Sequence, residues 1–196
     1  MEIRKTTDES ELREVRLLMG KWFREYELVS LEDFIYYARE YKSLYPGEEY
    51  FVYRIENEGE LIGMLSGLLL DEFILIDYFL IDEASRKSTF HIMDMFMDIF
   101  KEYEKPVVVE AETEVLCRLY GWVRFRKFKR DYSYTVVKKN DSGVRMETHK
   151  SNLMFRWKYD MDYEETRRIL SEKYYIRWYS KYGEEVVRMY REVVNM

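Results

Sequence analysis

Apolar residues at helical spacing predict two helices near the start of the chain. A strand-like stretch at residues 2–7 comes first, and Asp8 or Ser10 can cap the next helix, because their side-chain oxygens accept hydrogen bonds from unpaired first-turn amides. Ser30 begins the second helix, and the Tyr45-Pro46-Gly47 segment ends it. The apolar positions are Leu12, Val15, Leu18, Met19, Trp22 and Phe23 in the first helix and Phe34, Ile35, Tyr37, Ala38 and Tyr41 in the second.

After the second helix, apolar and polar residues begin to alternate, which predicts strands. Side chains from Phe51 to Ile55 alternate, a Glu-Asn-Glu-Gly turn follows at residues 56–59, and residues 61–70 return as a second strand. This pattern is typical of a hairpin. Residues 73–81 are almost all apolar or aromatic, which indicates a strand buried on both faces.

Helices and strands alternate over the next part of the chain. The pattern predicts a helix at residues 88–103, a short strand in the VVVEA segment after Pro106, a helix at 114–122 and one or two strands at 125–137. Strands interleaved with helices favour an α/β or α+β fold with a mixed sheet.

A polar linker is predicted at residues 138–145. We expect one domain at residues 1–140 and a C-terminal strand and helical extension at 141–196. The extension would hold two helices, broken near Tyr182 and Gly183.

Composition indicates which partners and which cellular compartment the protein is suited to. The net charge of −6 argues against a broad basic surface for nucleic acid. A single cysteine, Cys117, excludes an intramolecular disulfide and favours a reducing compartment. The start of the chain has no apolar core of signal-peptide length, and the apolar stretches are too short to span a bilayer. We therefore expect a soluble cytoplasmic protein without membrane contact.

Three segments resemble the GNAT superfamily of acyl-CoA-dependent N-acyltransferases, over roughly residues 2–138. The opening IRKTTDESELREVRLLM is similar to the first strand and helix of that family. The segment IDYFLIDEASRKSTFHIMDMF is similar to its buried strand, phosphate loop and following helix. The segment VVVEAETEVLCRLYGWVRF is similar to its strand, helix and Leu-Tyr ending, with Leu119, Tyr120 and Phe125 at matching positions.

The phosphate loop departs from the family pattern. Arg86 matches the family's Arg, but Thr89 and His91 stand where the family has glycines, and Arg124 stands where Gly is usual after the Leu-Tyr pair. Two alternatives follow for the loop. Either the amides of Ser88, Thr89 and Phe90 still face a diphosphate at the helix N-terminus, or His91 fills the groove and blocks it.

The resemblance implies a fold, a cofactor and a set of site residues. The fold would be a mixed, mostly antiparallel twisted sheet flanked by helices. Acetyl-CoA or another acyl-CoA would be the co-substrate, and the acceptor would be an amine of a small molecule or a protein. Tyr120 would be the general acid and Asp77 the general base. The implied cofactor-binding residues are Phe79, Leu80, Ile81, Arg86, Lys87, Ser88, Thr89, Phe90, His91 and Thr113.

Other chemistries find less support in the sequence. Cys117 lies among apolar neighbours, which favours a buried thiol over a nucleophile. No clustered Cys or His indicates a metal site. The C-terminal segment is rich in Tyr and Trp, so it could pack on the sheet, cover the acceptor groove or make a dimer contact. The alternative function is a catalytically inactive GNAT-fold binding or assembly module.

Overall fold

The structure is a computed structural model, and it describes residues 1–23, 30–140, 143–181 and 183–194. Contacts divide the chain into two compact units, Met1–Val109 and Glu110–Met196. The division falls within a strand, whereas the sequence predicts a domain boundary near residue 140. That boundary stays a prediction.

The first unit is built from strands and three helices. Its elements are β1 Glu2–Lys5, α1 Glu9–Met19, α2 Leu31–Leu44, β2 Glu49–Asn57, β3 Glu60–Leu69, β4 Ile74–Ile81, a 3₁₀ turn at Arg86–Ser88, α3 Thr89–Lys101 and the first residues of β5 Val107–Ala111. The strand order is β1-β2-β3-β4-β5. Neighbours from β1 to β4 are antiparallel, and β4 and β5 are parallel.

Local signals account for the ends of the first two helices. The Asp8 side chain accepts a hydrogen bond from the amide of Glu11 at 3.1 Å, and the Ser30 side chain accepts one from the amide of Asp33 at 3.1 Å. Both caps confirm the predicted starts. The first helix ends at Met19, before Trp22 and Phe23, because Gly20 closes its last turn.

The second unit contains the remaining strands and helices. They are α4 Glu114–Trp122, β6 Arg126–Lys127, β7 Tyr132–Asn140, β8 Gly143–Arg156, α5 Tyr163–Ile169, a π-helical turn at Leu170–Tyr175, α6 Ile176–Ser180 and α7 Glu184–Val194. Strands β7 and β8 form an antiparallel hairpin, and β6 pairs antiparallel with β8. The mostly antiparallel strands and flanking helices confirm the predicted mixed α/β fold class and the C-terminal helices.

The sequence predicts a linker and a helix break in this unit. The linker predicted at residues 138–145 is wrong where the structure describes it, because 138–140 pair with 143–145 as strand ends. Strand pairing gives the backbone N–H and C=O groups of these polar residues hydrogen-bond partners, so their polarity does not require a loop. Residues 141 and 142, and the break predicted at Tyr182, lie outside the described residues. Gly183 has φ 103°, a left-handed conformation suited to glycine, just before α7.

Each unit has a buried core. The first unit buries Leu12, Phe34, Tyr50, Ile55, Met64, Leu65, Phe73 and Phe96, and the second buries Tyr132, Leu153, Leu170 and Tyr190. The C-terminal aromatics Tyr175, Trp178 and Tyr179 are also buried, so they are part of the core of the second unit. Within the described ranges, no helix is long and apolar enough to cross a bilayer.

Candidate active site

A β-bulge in β4 positions Asp77. Ser66 of β3 lies opposite Tyr78, but the next residue, Gly67, lies opposite Ile76. Asp77 is therefore the extra residue on β4. A bulge bends its strand and turns a side chain away from the regular alternation. The bulge thus allows a carboxylate in an otherwise apolar strand to leave the core face.

Asp77 is half-buried and has a tyrosine partner. The Tyr50 hydroxyl lies 3.3 Å from Oδ2 of Asp77, to which it donates, and 3.2 Å from Oγ of Ser66. Burial raises the pKa of Tyr50, and the nearby Asp77 carboxylate raises it further, so Tyr50 stays protonated. This hydrogen bond gives the half-buried carboxylate of Asp77 a polar partner. Its role as a base stays a prediction.

One edge of β4 is open beyond the bulge. The parallel pairing of β4 with β5 covers Ile74–Ile76 against Val107–Val109. Among the described residues of the first unit, residues 77–81 pair only with β3. On the other edge, the peptide groups of Phe79, Leu80 and Ile81 therefore have no strand partner among the described residues of this unit. A strand edge of this kind can form hydrogen bonds with the amides of a ligand.

The loop after β4 is more compact than an open phosphate loop. The amide of Ser88 donates to the carbonyl of Ser85 at 2.9 Å, and the amide of Thr89 donates to the carbonyl of Arg86. The Thr89 hydroxyl also donates to the Arg86 carbonyl, at 2.7 Å. Two of the three amides expected to face a diphosphate thus have partners inside the turn.

Side chains of this loop are largely accessible. Arg86 and Lys87 are exposed, and the Arg86 guanidinium lies 4.9 Å from the centre of the Trp22 ring. Ser88, Thr89 and Phe90 are half-buried. His91 is exposed on α3. The cofactor-binding roles of these residues stay predictions.

The start of α3 differs from the starts of its neighbours. Helices α1, α2, α4 and α5 each have a side-chain cap and at least one acidic residue in the first turn. Helix α3 has neither, and Arg86 and Lys87 precede it. The first turn of α3 thus provides no carboxylate for the positive end of the helix dipole, which favours an anionic ligand, although Glu83 lies 3.7 Å from the Arg86 guanidinium.

Helix α4 of the second unit positions Thr113 and Tyr120. The Thr113 hydroxyl accepts a hydrogen bond from the Leu116 amide at 3.2 Å, so Thr113 caps the helix. Tyr120 is 7% exposed, and its ring lies 5.4 Å from that of Phe125. Arg124 has φ 68°, which explains why glycine is usual at this position.

The hydroxyl of Tyr120 is available for a ligand. No hydrogen-bond partner appears for it among the described residues, and burial raises its pKa to about 12. The group therefore carries a proton at neutral pH, as a general acid must.

Cys117 is a buried thiol, as the sequence predicts. Burial raises the pKa of this thiol, which disfavours the nucleophilic thiolate. In the part of the chain that the structure describes, no three His, Cys, Asp or Glu side chains could hold a metal ion together.

Sequence reasoning missed a buried acid in the second unit. Glu110, at the end of the VVVEA strand, accepts hydrogen bonds from the hydroxyls of Tyr132, at 2.6 Å, and Tyr175. Burial raises the pKa of Glu110, although the two tyrosines partly offset the rise. The signal available beforehand was a carboxylate directly after three valines, a position that demands a partner.

Comparison with known proteins bears on the fold. No protein-family model matches the chain, and no curated protein matches it by sequence. Solved structures do match. A protein from Bacteroides thetaiotaomicron, described as a GNAT-family acetyltransferase, is 19% identical with a TM-score of 0.67, over 89% of this chain and 98% of that one.

Two ribosomal-protein-alanine N-acetyltransferases are also similar in structure. The ribosomal-protein-alanine N-acetyltransferase of Brucella melitensis is 14% identical with a TM-score of 0.55, over 80% of this chain and 99% of that one. The ribosomal-protein-S18-alanine N-acetyltransferase of Escherichia coli is 9% identical with a TM-score of 0.54, over 83% of this chain and 100% of that one. These likenesses confirm the predicted architecture: the chain has the fold of the GNAT acyltransferases.

Proposed function

We propose that the chain transfers an acetyl or other acyl group from acyl-CoA to an amine of a small molecule or a protein. The observation that carries this proposal is the open edge of β4 after its bulge. The pantetheine arm of CoA contains two amides, which can hydrogen-bond to a strand edge much as an added strand does. The likeness in fold to acetyltransferases supports the proposal without identifying the acceptor.

The diphosphate of CoA would lie at the start of α3. That helix end lacks a capping side chain and first-turn acids, and two cations stand beside it. These features compensate in part for the amides of Ser88 and Thr89 that are engaged within the turn.

Two side chains have the properties that acyl transfer needs. Tyr120 can give its proton to the departing thiolate, because its hydroxyl is protonated and has no described protein partner. Asp77, half-buried beside Tyr50, can accept a proton from the attacking amine, directly or through water. A cytoplasmic location fits this use of acyl-CoA and the single buried cysteine.

A catalytically inactive binding protein is the second candidate. The internal hydrogen bonds of Ser88 and Thr89 favour it, since they occupy amides that would otherwise hold phosphate. The buried C-terminal aromatics do not favour an assembly role, because they are used in the core.

Calorimetric titration separates the two candidates. We expect acetyl-CoA and CoA to bind with micromolar to low-millimolar affinity, about 4 to 8 kcal/mol. Heat no larger than dilution at millimolar ligand would remove the transferase and leave the fold alone.

Tyr120→Phe tests the chemical step. Turnover should fall by about 100-fold, the scale of general acid catalysis, with CoA affinity and thermal stability nearly unchanged. The measurement is the thiol released from acetyl-CoA with a panel of primary amines. Tyr36→Phe, which changes an exposed tyrosine of α2, is the matched control. A loss of CoA affinity in Tyr120→Phe would show that the residue holds the cofactor and is not an acid.

A further inference from the structure

Two carboxylates at the end of β5 have no cationic partner. Elsewhere in the second unit, carboxylates lie close to basic groups, as in the ion pairs of Glu114 with Lys127 and Glu165 with Arg168. Among the described residues, neither Glu110 nor Glu112 takes part in such a pair. Negative charge left unpaired beside a folded core attracts a cation.

Aromatic side chains surround this acidic pair. The Tyr132 hydroxyl donates to Glu110, and the Tyr134 hydroxyl donates to Glu112. The Tyr132 and Tyr134 rings are stacked with centres 6.2 Å apart, and the Tyr134 and His149 rings are stacked with centres 5.6 Å apart. Aromatic faces beside carboxylates are suited to an organic cation.

One buried polar atom on the same face has no hydrogen-bond partner among the described residues. It is Oγ of Ser151, a residue that is 7% exposed, whereas Nε2 of His149 lies 3.7 Å from Oε2 of Glu147. In the β7–β8 register Tyr132 lies opposite Ser151, and Tyr134 lies opposite His149. Cross-strand partners project to one face, so Ser151 is directed toward the tyrosines that bind Glu110 and Glu112. A buried polar atom without a partner indicates a missing ligand or water.

We define the acid–tyrosine face as Glu110, Glu112, Tyr132, Tyr134, His149 and Ser151. Exposure changes across it: Glu112 is exposed, Tyr134 and His149 are half-buried, and Tyr132 and Ser151 are buried. The face is therefore accessible at Glu112 and closed at Ser151.

We propose that the acid–tyrosine face binds a primary ammonium group, the acceptor of the proposed transferase or a part of that acceptor. An ammonium has three N–H donors, which match carboxylate oxygens of Glu110 and Glu112 and Oγ of Ser151. A metal ion fits less well, since the described His, Cys, Asp and Glu side chains form no metal-binding group. The identification as acceptor rests on the proposed function, whereas the ammonium binding does not.

The test is a titration of the whole protein with n-butylammonium chloride, followed by NMR. Backbone amide and His149 imidazole signals of residues 132–135 and 145–151 should shift saturably, and n-butanol at the same concentrations should leave them unchanged. Glu112→Gln and Ser151→Ala should each weaken the apparent affinity by about tenfold, as expected for one charge-assisted hydrogen bond. Glu184→Gln, an exposed acid of α7, is the control for unspecific attraction.

The outcomes separate this site from the proposed function. Absent shifts, equal shifts with n-butanol, or an affinity that Glu112→Gln leaves unchanged would overturn the site. CoA takes no part in the titration, so a chain that fails to bind acetyl-CoA but passes this test keeps the ammonium site and loses the transferase.

Discussion

Asp77 owes its position to one extra residue in β4. The register shift opposite Ser66 and Gly67 makes Asp77 the extra residue of the bulge. A carboxylate in a strand so apolar would be costly to bury on the core face. At the scale of single residues, the bulge and its hydrogen bond from Tyr50 resolve that conflict and leave a half-buried acid on the proposed cofactor strand.

Gly67 is the residue that permits this bulge. A Cβ at this position would lie 1.9 Å from the carbonyl oxygen of Leu75 and 2.9 Å from the Phe51 ring. We expect Gly67→Ala to lower the free energy of unfolding by about 3 kcal/mol, because backbone must move to make room. Urea denaturation measures the change.

Gly121 offers the matched control for that substitution. A Cβ there would meet nothing within 4 Å, and the residue lies in α4. Gly121→Ala should leave stability unchanged or raise it by about 0.5–1 kcal/mol, the difference in helix propensity. Similar effects of both substitutions would refute the steric account of Gly67.

We expect Glu110 to make a pH-dependent contribution to the free energy of unfolding. Burial raises its pKa above the ordinary value of 4.5, so the folded state holds the proton more tightly than the unfolded state does. The free energy of unfolding therefore loses a contribution as pH rises from about 4.5 through the raised pKa. Glu110→Gln cannot ionise, so its stability relative to the wild type should increase over that range.

Denaturation at several pH values between 4 and 8 measures this difference. Subtracting the wild-type curve of unfolding free energy against pH from the variant's curve cancels the contributions of groups that titrate alike in both proteins. Glu102→Gln, which changes an exposed carboxylate of the first unit, is the control for the loss of one negative charge. A constant difference for Glu110→Gln would mean that Glu110 ionises in the folded protein as freely as in the unfolded chain.

At the scale of elements, α3 is distinguished by how it begins. Asp8, Ser30, Thr113 and Asp162 cap four other helices with their side chains. The α3 start instead follows a 3₁₀ turn that contains Arg86 and Lys87. A helix end with neither a side-chain cap nor a first-turn acid is stabilised by an external anion.

The double substitution Arg86→Ala with Lys87→Ala tests that assignment. Affinity for CoA should fall by about tenfold, since two charges near phosphate are removed. Calorimetry measures the affinity. Thermal stability should fall by no more than the loss of the contact between Arg86 and Trp22, about 1 kcal/mol.

Lys101→Ala is the matched control, because Lys101 is an exposed cation at the other end of the same helix. It should leave CoA affinity unchanged. An equal loss in both variants would point to overall charge, and no loss in either would exclude α3 as the phosphate site.

At the scale of the whole molecule, the abundance of tyrosine has a structural explanation. The chain contains 19 tyrosines, and several buried ones have hydroxyls that reach polar partners in the core. Tyr50 reaches Ser66 and Asp77, and Tyr179 donates to the carbonyl of Thr135. A large ring with one polar end fills apolar space and also satisfies buried polar groups, which aliphatic residues cannot do.

Sequence alone determined the order of most helices and strands, the helix starts at Asp8 or Ser10 and at Ser30, and the fold class. These features depend on residue periodicity and on contacts within a few positions, so a linear pattern contains them. It also identified Asp77 and Tyr120 as candidates, though not the groups around them. Its error at residues 138–145 arose because polar residues pair in a hairpin as readily as they form a linker.

Only the tertiary structure decided which groups meet across long distances in the chain. Tyr175 donates to Glu110 from 65 positions away, and Tyr50 reaches Asp77 from 27. The bulge at Asp77 and the face formed by β7 and β8 likewise depend on strand register, which every residue along a pair of strands sets together. Partners chosen by register and packing leave no local mark, so the acid–tyrosine face became visible only in three dimensions.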